Sequence, residues 1–290
     1  MSTKHPIISV TGSSGAGTST VKKTFDQIFR REGITSVSIE GDAFHRYNRA
    51  DMRAELERRQ ADGDHTFSHF SHDANELGEL ERVFREYSQT GKGRTRTYVH
   101  DAEEAKRTGV PPGEFTAWAP FPDDSDLLFY EGLHGSVVND DVNLAALADL
   151  KIGVVPVINL EWIQKIHRDR ESRGYSTEAV TETILRRMQA YVHCICPQFS
   201  ETDINFQRVP VVDTSNPFVA RWIPTPDESL VVIRFKNPRG IDFPYLMSMI
   251  EGSWMTRANS LVIPGGKMDL AMQLIFTPMV IRLVREAKRT

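Results

Sequence analysis

Nine consecutive residues, Gly12-Ser-Ser-Gly-Ala-Gly-Thr-Ser-Thr20, carry the strongest chemical signal in the chain. Glycines at 12 and 17 and a hydroxyl at 19 stand where a phosphate-binding G-x-x-x-x-G-K-[ST] loop needs them, between an apolar run and a helical pattern. In such a loop successive backbone N–H groups converge on an anion and the new helix adds its positive end. Ser13, Ser14, Gly15, Ala16 and Thr20 fill out the cradle, and Ser19 takes the place of the hydroxyl that holds magnesium. Thr18 stands where the pattern has lysine, so positive charge for the β- and γ-phosphates must come from elsewhere. The glycine order also departs from the G-x-G-x-x-G dinucleotide fingerprint, which disfavours a dehydrogenase.

Phosphoryl transfer to a hydroxyl further needs a base, a metal anchor and cations on the moving group. Asp42, in Glu40-Gly-Asp-Ala-Phe-His45, follows a strand-like run and can accept a hydroxyl proton; the plainer reading is a turn aspartate capping the next helix. Glu131 ends the apolar run Leu127-Leu-Phe-Tyr130, the arrangement of a Walker B magnesium carboxylate. Along the helical pattern of residues 160–173, Lys165, Arg168, Asp169 and Arg173 fall within about 140° of one face. A solvated face with i,i+4 pairing would look the same. The number of cations beside a strand expected to neighbour the cradle favours a site, with Lys165 or Arg168 replacing the charge missing at Thr18. Ile163 and Ile166 are expected to face the sheet. His65, His69 and His72 read as solvent-facing loop residues rather than a metal set, since no cysteine lies near them.

The elements that must carry these residues read as α/β. Residues 5–11 form a strand, a helix runs to Gly33, and residues 34–40 form a second strand. Residues 46–86 are charged and helix-prone, with a break at 66–72. Turn signals at 91–93 and 110–113 frame a hairpin or flap containing Thr95-Arg-Thr-Tyr-Val-His100. Continuous apolar runs at 127–130 and 152–158 suit strands of a mainly parallel sheet covered on both faces. Helices over 160–173 and 177–192, strands at 209–212, 230–235 and 261–263, and a closing helix from about 268 follow. No linker divides the sequence, so residues 1–290 are expected to form one domain.

Composition narrows the partners. Hydrophobic residues make up 40% and charged residues 26% of 290, and 35 Lys and Arg against 39 Asp and Glu leave a net charge of −4. Such a chain has no global positive field for nucleic acid or an anionic membrane, so any anion site must be local. Residues 1–6 lack an apolar leader, and no apolar run approaches the ~20 residues of a membrane span. Cys194 and Cys196 are expected to be reduced and buried, as in a cytoplasmic protein.

GSSGAGTST, EGDAFHR, TRTYVHD, LLFYEGLHG and VPVINLEWIQKIHRDRESRG, in this order, resemble the bacterial phosphoribulokinases, as do VDTSNPF at 212–218 and FPYL at 243–246. The resemblance implies a P-loop NTPase-like fold with a mixed, mainly parallel sheet flanked by helices. It also implies transfer of phosphate from Mg-ATP to the C1 hydroxyl of ribulose 5-phosphate, giving the carbon dioxide acceptor of the Calvin cycle. Asp42 would then be the general base, with Ser19, Glu131 and Asp169 near Mg²⁺ and Lys165 and Arg168 on the moving phosphoryl group. His45, Arg49, Tyr98, His100 and Arg173 would hold the sugar phosphate. The bacterial family also lacks the lysine matched by Thr18, and Ala16 lies where light-regulated members carry a redox cysteine. A homo-oligomer responding to NADH or AMP is implied, with Arg31, Arg186 and Arg187 as effector positions; helix-surface ion pairs are the alternative for each. A nucleoside acceptor such as uridine, or a nucleotide-binding regulator without transfer, are the competing functions.

Overall fold

The computed structural model describes residues 4–13, 17–155 and 157–289, with the side chains of Ser19, Ser172 and Arg173 outside that description. In chain order the elements are β1 (Ile7–Gly12), α1 (Thr18–Glu32), β2 (Ser36–Glu40), α2 (Arg49–Ala61), α3 (Leu77–Thr90), β3 (Arg94–Thr95), α4 (Ala102–Thr108), β4 (Ala119–Pro120), β5 (Leu127–Gly132), β6 (Leu150–Val155), α5 (Ile158–Arg173), α6 (Thr177–Ala190), α7 (Gln198–Glu201), β7 (Ile204–Pro210), β8 (Ser229–Phe235), α8 (Phe243–Met249), β9 (Trp254–Arg257), β10 (Ser260–Pro264) and α9 (Met268–Ala287).

Among the described residues the main sheet has eight strands in the order β2-β5-β1-β6-β7-β8-β10-β9. The first five are mutually parallel, and β8, β10 and β9 add antiparallel pairs. Successive residues of the apolar runs point to opposite faces. Leu127 and Phe129 join Val21, Phe25 and Phe29 of α1 and Met272 and Phe276 of α9 on one side. Leu128 and Tyr130 join Leu80, Phe84 and Tyr87 of α3 on the other. Burial on both faces is why these strands read as continuous runs rather than alternating ones.

Gly17, at φ 101°, begins α1, and Gly33, at φ 65°, ends it by turning its N–H back to the carbonyls of Arg30 and Phe29. Both conformations strain any residue with a Cβ. The expected flap is a small two-stranded ribbon, β3 with β4, enclosing α4 and bridged again between Tyr98 and Phe115.

Several expectations are corrected. The run at 152–158 stops as a strand at Val155, and Ile158 already opens α5. The strand expected at 209–212 is β7, which starts at Ile204, because Asn205, Gln207 and Arg208 interrupt its apolar pattern. Ile166 packs on Val180 and Ile184 of α6 rather than on the sheet. Cys194 and Cys196 are free thiols but half-exposed rather than buried.

Candidate active site

Three parallel strands deliver the central groups from their C-terminal ends. Gly12 closes β1, and a Cβ there would stand 2.7 Å from the Thr18 methyl and 2.9 Å from the Val154 carbonyl. Ser13 is buried and its hydroxyl donates to Glu161 Oε1 at 2.5 Å, tying the start of the loop to α5. Ser14, Gly15 and Ala16 lie outside the described residues. Thr18 is buried, with its hydroxyl beside the Glu131 carboxylate at the end of β5. Thr20 is exposed on the first turn of α1.

Asp42 sits in a 3-10 turn, Gly41–Phe44, directly after β2. The turn lies against β5: a Cβ on Gly132 would meet the Gly41 Cα at 2.7 Å, so the backbones carrying Asp42 and Glu131 touch. His45 Nε2 lies 3.1 Å from Asp42 Oδ1 and His100 Nε2 lies 3.3 Å from Oδ2, while the Asp42 side chain keeps 38% exposure. Burial pushes the Asp42 acid up, but the positive charge and hydrogen bond of His45, helped by His100 and His69, outweigh it and hold the carboxyl well below its usual range. Glu131 moves the other way: burial raises it, the Thr18 hydroxyl opposes, and the neighbouring Glu40 and Asp42 charges add to the rise. Concentrated negative charge at a strand end beside a phosphate loop suits a divalent cation, which typically takes one or two carboxylates and completes its shell with phosphate oxygens and water.

The flap closes one wall. Arg96 donates to the carbonyls of Ala43 and His45, both at 2.8 Å, and covers the Phe115 ring at 3.7 Å. Arg49 donates to the His100 carbonyl at 2.8 Å. Tyr98 packs edge-on against His100 and His45, with ring centroids at 5.0 and 6.0 Å.

Lys165 of α5 is held rather than solvated. Lys165 is 7% exposed and Asp169 is 4% exposed, with Lys165 Nζ 2.5 Å from Asp169 Oδ2 and Arg168 Nε 3.1 Å from Oδ1. Burial, then the Arg187 charge, pulls the Lys165 ammonium down to about 8 against the pull of Asp169. Both Asp169 oxygens are engaged by cations here, so a metal contact by Asp169 needs those pairs to open. Arg173 belongs to the same helix, with its side chain outside the described set.

Of the three effector candidates, Arg31 binds Glu32, Gln273 and Thr277 at the surface. Arg187 instead reaches toward the site, 3.5 Å from His69 Nδ1 and 5.4 Å above the Phe70 ring. Arg186, its neighbour on α6, is half-buried. His65 is exposed as expected, but His69 is not a solvent-facing loop residue: it packs edge-on against His45 at 5.1 Å, and His72 packs on the buried His134. No group of three His, Cys, Asp or Glu side chains among the described residues forms a metal cluster.

Residue reading missed Arg96, Asn75, His134 and Glu161. Arg96 and His134 lay inside motifs already singled out, and Glu161 stands one helical turn before Lys165; Asn75 gave no local signal.

A parallel sheet whose first strand opens a glycine-rich turn, with acidic residues at two neighbouring strand ends and cations on a following helix, defines a P-loop phosphotransferase. The Phosphoribulokinase / Uridine kinase family pattern matches residues 7–215. Phosphoribulokinase 2 of Cereibacter sphaeroides is 81% identical over 289 residues, spanning 100% of this chain and 99% of that protein. The phosphoribulokinase of Nitrobacter vulgaris is 70% identical over 286 residues, 99% of each chain. A solved phosphoribulokinase from Rhodobacter spheroides superimposes with a TM-score of 0.91 at 77% identity, covering 98% of this chain and 99% of that one. The chain belongs to the Phosphoribulokinase / Uridine kinase family.

Proposed function

We infer that this chain is an ATP-dependent kinase that phosphorylates the C1 hydroxyl of D-ribulose 5-phosphate, giving ribulose 1,5-bisphosphate and ADP. The observation that carries the reading is the Asp42 carboxylate, held by two imidazoles on a turn that abuts the Glu131 strand end. The C1 oxygen forms a bond to the γ-phosphorus as the bond to the β,γ-bridging oxygen breaks, and Asp42 takes the hydroxyl proton.

His45, Arg49, Tyr98, His100 and Arg173 are assigned to the sugar phosphate. Lys165 and Arg168 are assigned to the charge spreading over the moving phosphoryl group, the part that lysine would play at position 18. Glu131 and the Ser19 hydroxyl are the groups that would hold Mg²⁺, with Asp169 nearby; the ion neutralises phosphate charge when bound. The nucleoside of ATP is assigned to a cavity of about 290 Å³ beside Gly17 and Thr20, walled by Val154, Phe206, Arg208 and Met268. The reading takes residues 1–290 as one kinase domain, working as a cytoplasmic homo-oligomer with NADH acting through Arg31, Arg186 and Arg187. No helix among the described residues is long and apolar enough to cross a membrane.

Incubation with Mg-ATP and ribulose 5-phosphate, followed by phosphorus NMR, should show the bisphosphate, with NADH changing the rate. Uridine should give no product, since it offers no phosphate to the His45 and Arg49 wall. Asp42→Asn should lose about 10²- to 10⁴-fold in kcat, the usual contribution of a general base. Turnover of uridine but not of any pentose phosphate would reassign the acceptor, and near-normal turnover of the variant would remove Asp42 as base.

A further inference from the structure

The amide of Asn75 is buried at the foot of the Asp42 turn, where an isolated antiparallel bridge pairs its backbone with that of His45. Its Nδ2 lies 3.0 Å from the His69 carbonyl and 2.8 Å from the Ser71 carbonyl. Both partners can only accept, so the two amide hydrogens go to them and the orientation of the amide is fixed. His134 Nε2 is a third neighbour of the same nitrogen at 3.1 Å. Oδ1 is thereby turned to His45 Nδ1 at 2.8 Å, and an amide oxygen can only accept. On the other side of the ring, Nε2 faces the Asp42 carboxylate at 3.1 Å. An imidazole between two acceptors must carry a proton on each nitrogen.

We propose that Asn75 is a positioning residue for the reaction, holding His45 as a doubly protonated imidazolium against the Asp42 base. The groups facing the His45 ring agree with a single cation there. Burial lowers His45, but the Asp42 charge and the hydrogen bonds to Asp42 and Asn75 outweigh burial and the opposing Arg187, leaving it raised. His69, packed edge-on against the ring, is held well below its usual value by burial, then by Arg187 and His45. His134 is pushed down to about 3 by burial, then by His72 and His45. Tyr98 and His100 complete the wall. The imidazolium keeps Asp42 ionised and ready to accept a proton, and its charge faces the side assigned to the phosphorylated sugar. That kinetic consequence rests on the reading of Asp42 as the base; the protonation of His45 does not.

The test is nitrogen-15 NMR of histidine-labelled enzyme without substrate. At pH 7.5 the wild-type spectrum should show His45 protonated on both nitrogens and His69 and His134 neutral. A neutral His45 would overturn the proposal even if no variant folds. Asn75→Leu, which removes the acceptor, should lower the His45 midpoint by about one pH unit, the size of one hydrogen bond to a charged group. Asn75→Asp keeps an acceptor and should leave the midpoint in place or raise it. An unchanged midpoint in the leucine variant, or a fall in both variants, would overturn the proposal by pointing to packing alone. The His45 cation is lost as pH rises through its midpoint, so the alkaline limb of kcat/KM should move down in Asn75→Leu by the same amount. If the midpoint moves and the limb does not, His45 is an imidazolium but Asn75 is not a positioning residue for the reaction, and the proposal is overturned; failure of Asp42 as base shows separately, as near-normal turnover of Asp42→Asn.

Discussion

Glu161 shows how one buried acid couples two parts of the site. It is 6% exposed; Oε1 accepts the Ser13 hydroxyl, and Oε2 has no hydrogen-bond partner among the described residues. Burial pushes its acid up to about 7, with Ser13, Lys165 and Arg168 opposing. A carboxyl raised in the folded state binds more protons there than in the unfolded chain, so between about pH 4.5 and 7 its contribution to stability falls as pH rises. Glu161→Gln should therefore raise the melting temperature at pH 8, by an amount corresponding to about 1–3 kcal/mol, and change it little at pH 4. Calorimetry at the two pH values checks this, and an equal gain at both would show that the charge is not the cause. The same variant keeps an acceptor for Ser13, so it separates charge from the loop-to-helix tie.

At the scale of elements, the active site depends on a close approach between the turn after β2 and the end of β5. Gly41 and Gly132 permit it: a Cβ on Gly132 would stand 2.7 Å from the Gly41 Cα and 2.7 Å from Tyr130 Oη. Neither backbone can yield without moving Asp42 relative to Glu131. Gly132→Ala should cost about tenfold or more in kcat, since displacements of about 1 Å at a reacting centre cost up to a hundredfold. A Cβ on Gly78, in α3, meets nothing within 4 Å, so Gly78→Ala should leave kcat unchanged. Steady-state kinetics of the two variants side by side is the check. The flap is fixed on the same turn by Arg96, through the Ala43 and His45 carbonyls rather than through Asp42 itself.

For the whole molecule, the proposed assignments gather phosphates, acceptor and nucleoside at the C-terminal ends of the parallel strands, the usual ligand side of such sheets. The cavity proposed for the nucleoside lies between the start of α1 and the start of α9, with Leu160, Glu161 and Gln164 of α5 also lining it. Met268→Trp fills that cavity from the first turn of α9. It should raise the KM for ATP about tenfold while leaving the KM for ribulose 5-phosphate within about twofold, because lost cavity space acts on one ligand only. Equal changes in both constants, measured by initial rates, would count against the cavity as the nucleoside site. The net charge of −4 gives no long-range pull on two anionic substrates, so capture must rest on local cations, the part proposed for Lys165, Arg168 and Arg49.

The sequence by itself determined the elements whose periodicity is local and whose ends carry their own signals. The glycine-bounded helix α1, the doubly buried strands β5 and β6, and the strand-end placement of Asp42 and Glu131 were all legible. The α5 cation face was legible as spacing, but the burial of Lys165 and Asp169 on it was not, since periodicity cannot tell a solvated position from one covered by a neighbouring helix. The early start of β7 was hidden by Asn205, Gln207 and Arg208, which a strand tolerates once tertiary neighbours pair it, and the edge strand β9 had no buried face to mark it. Only the tertiary structure set Asn75 against His45, His69 against the same ring, and Glu161 against Ser13. Hydrogen-bond partners distant in sequence leave no period to read; their pairing is decided when the strands and helices pack.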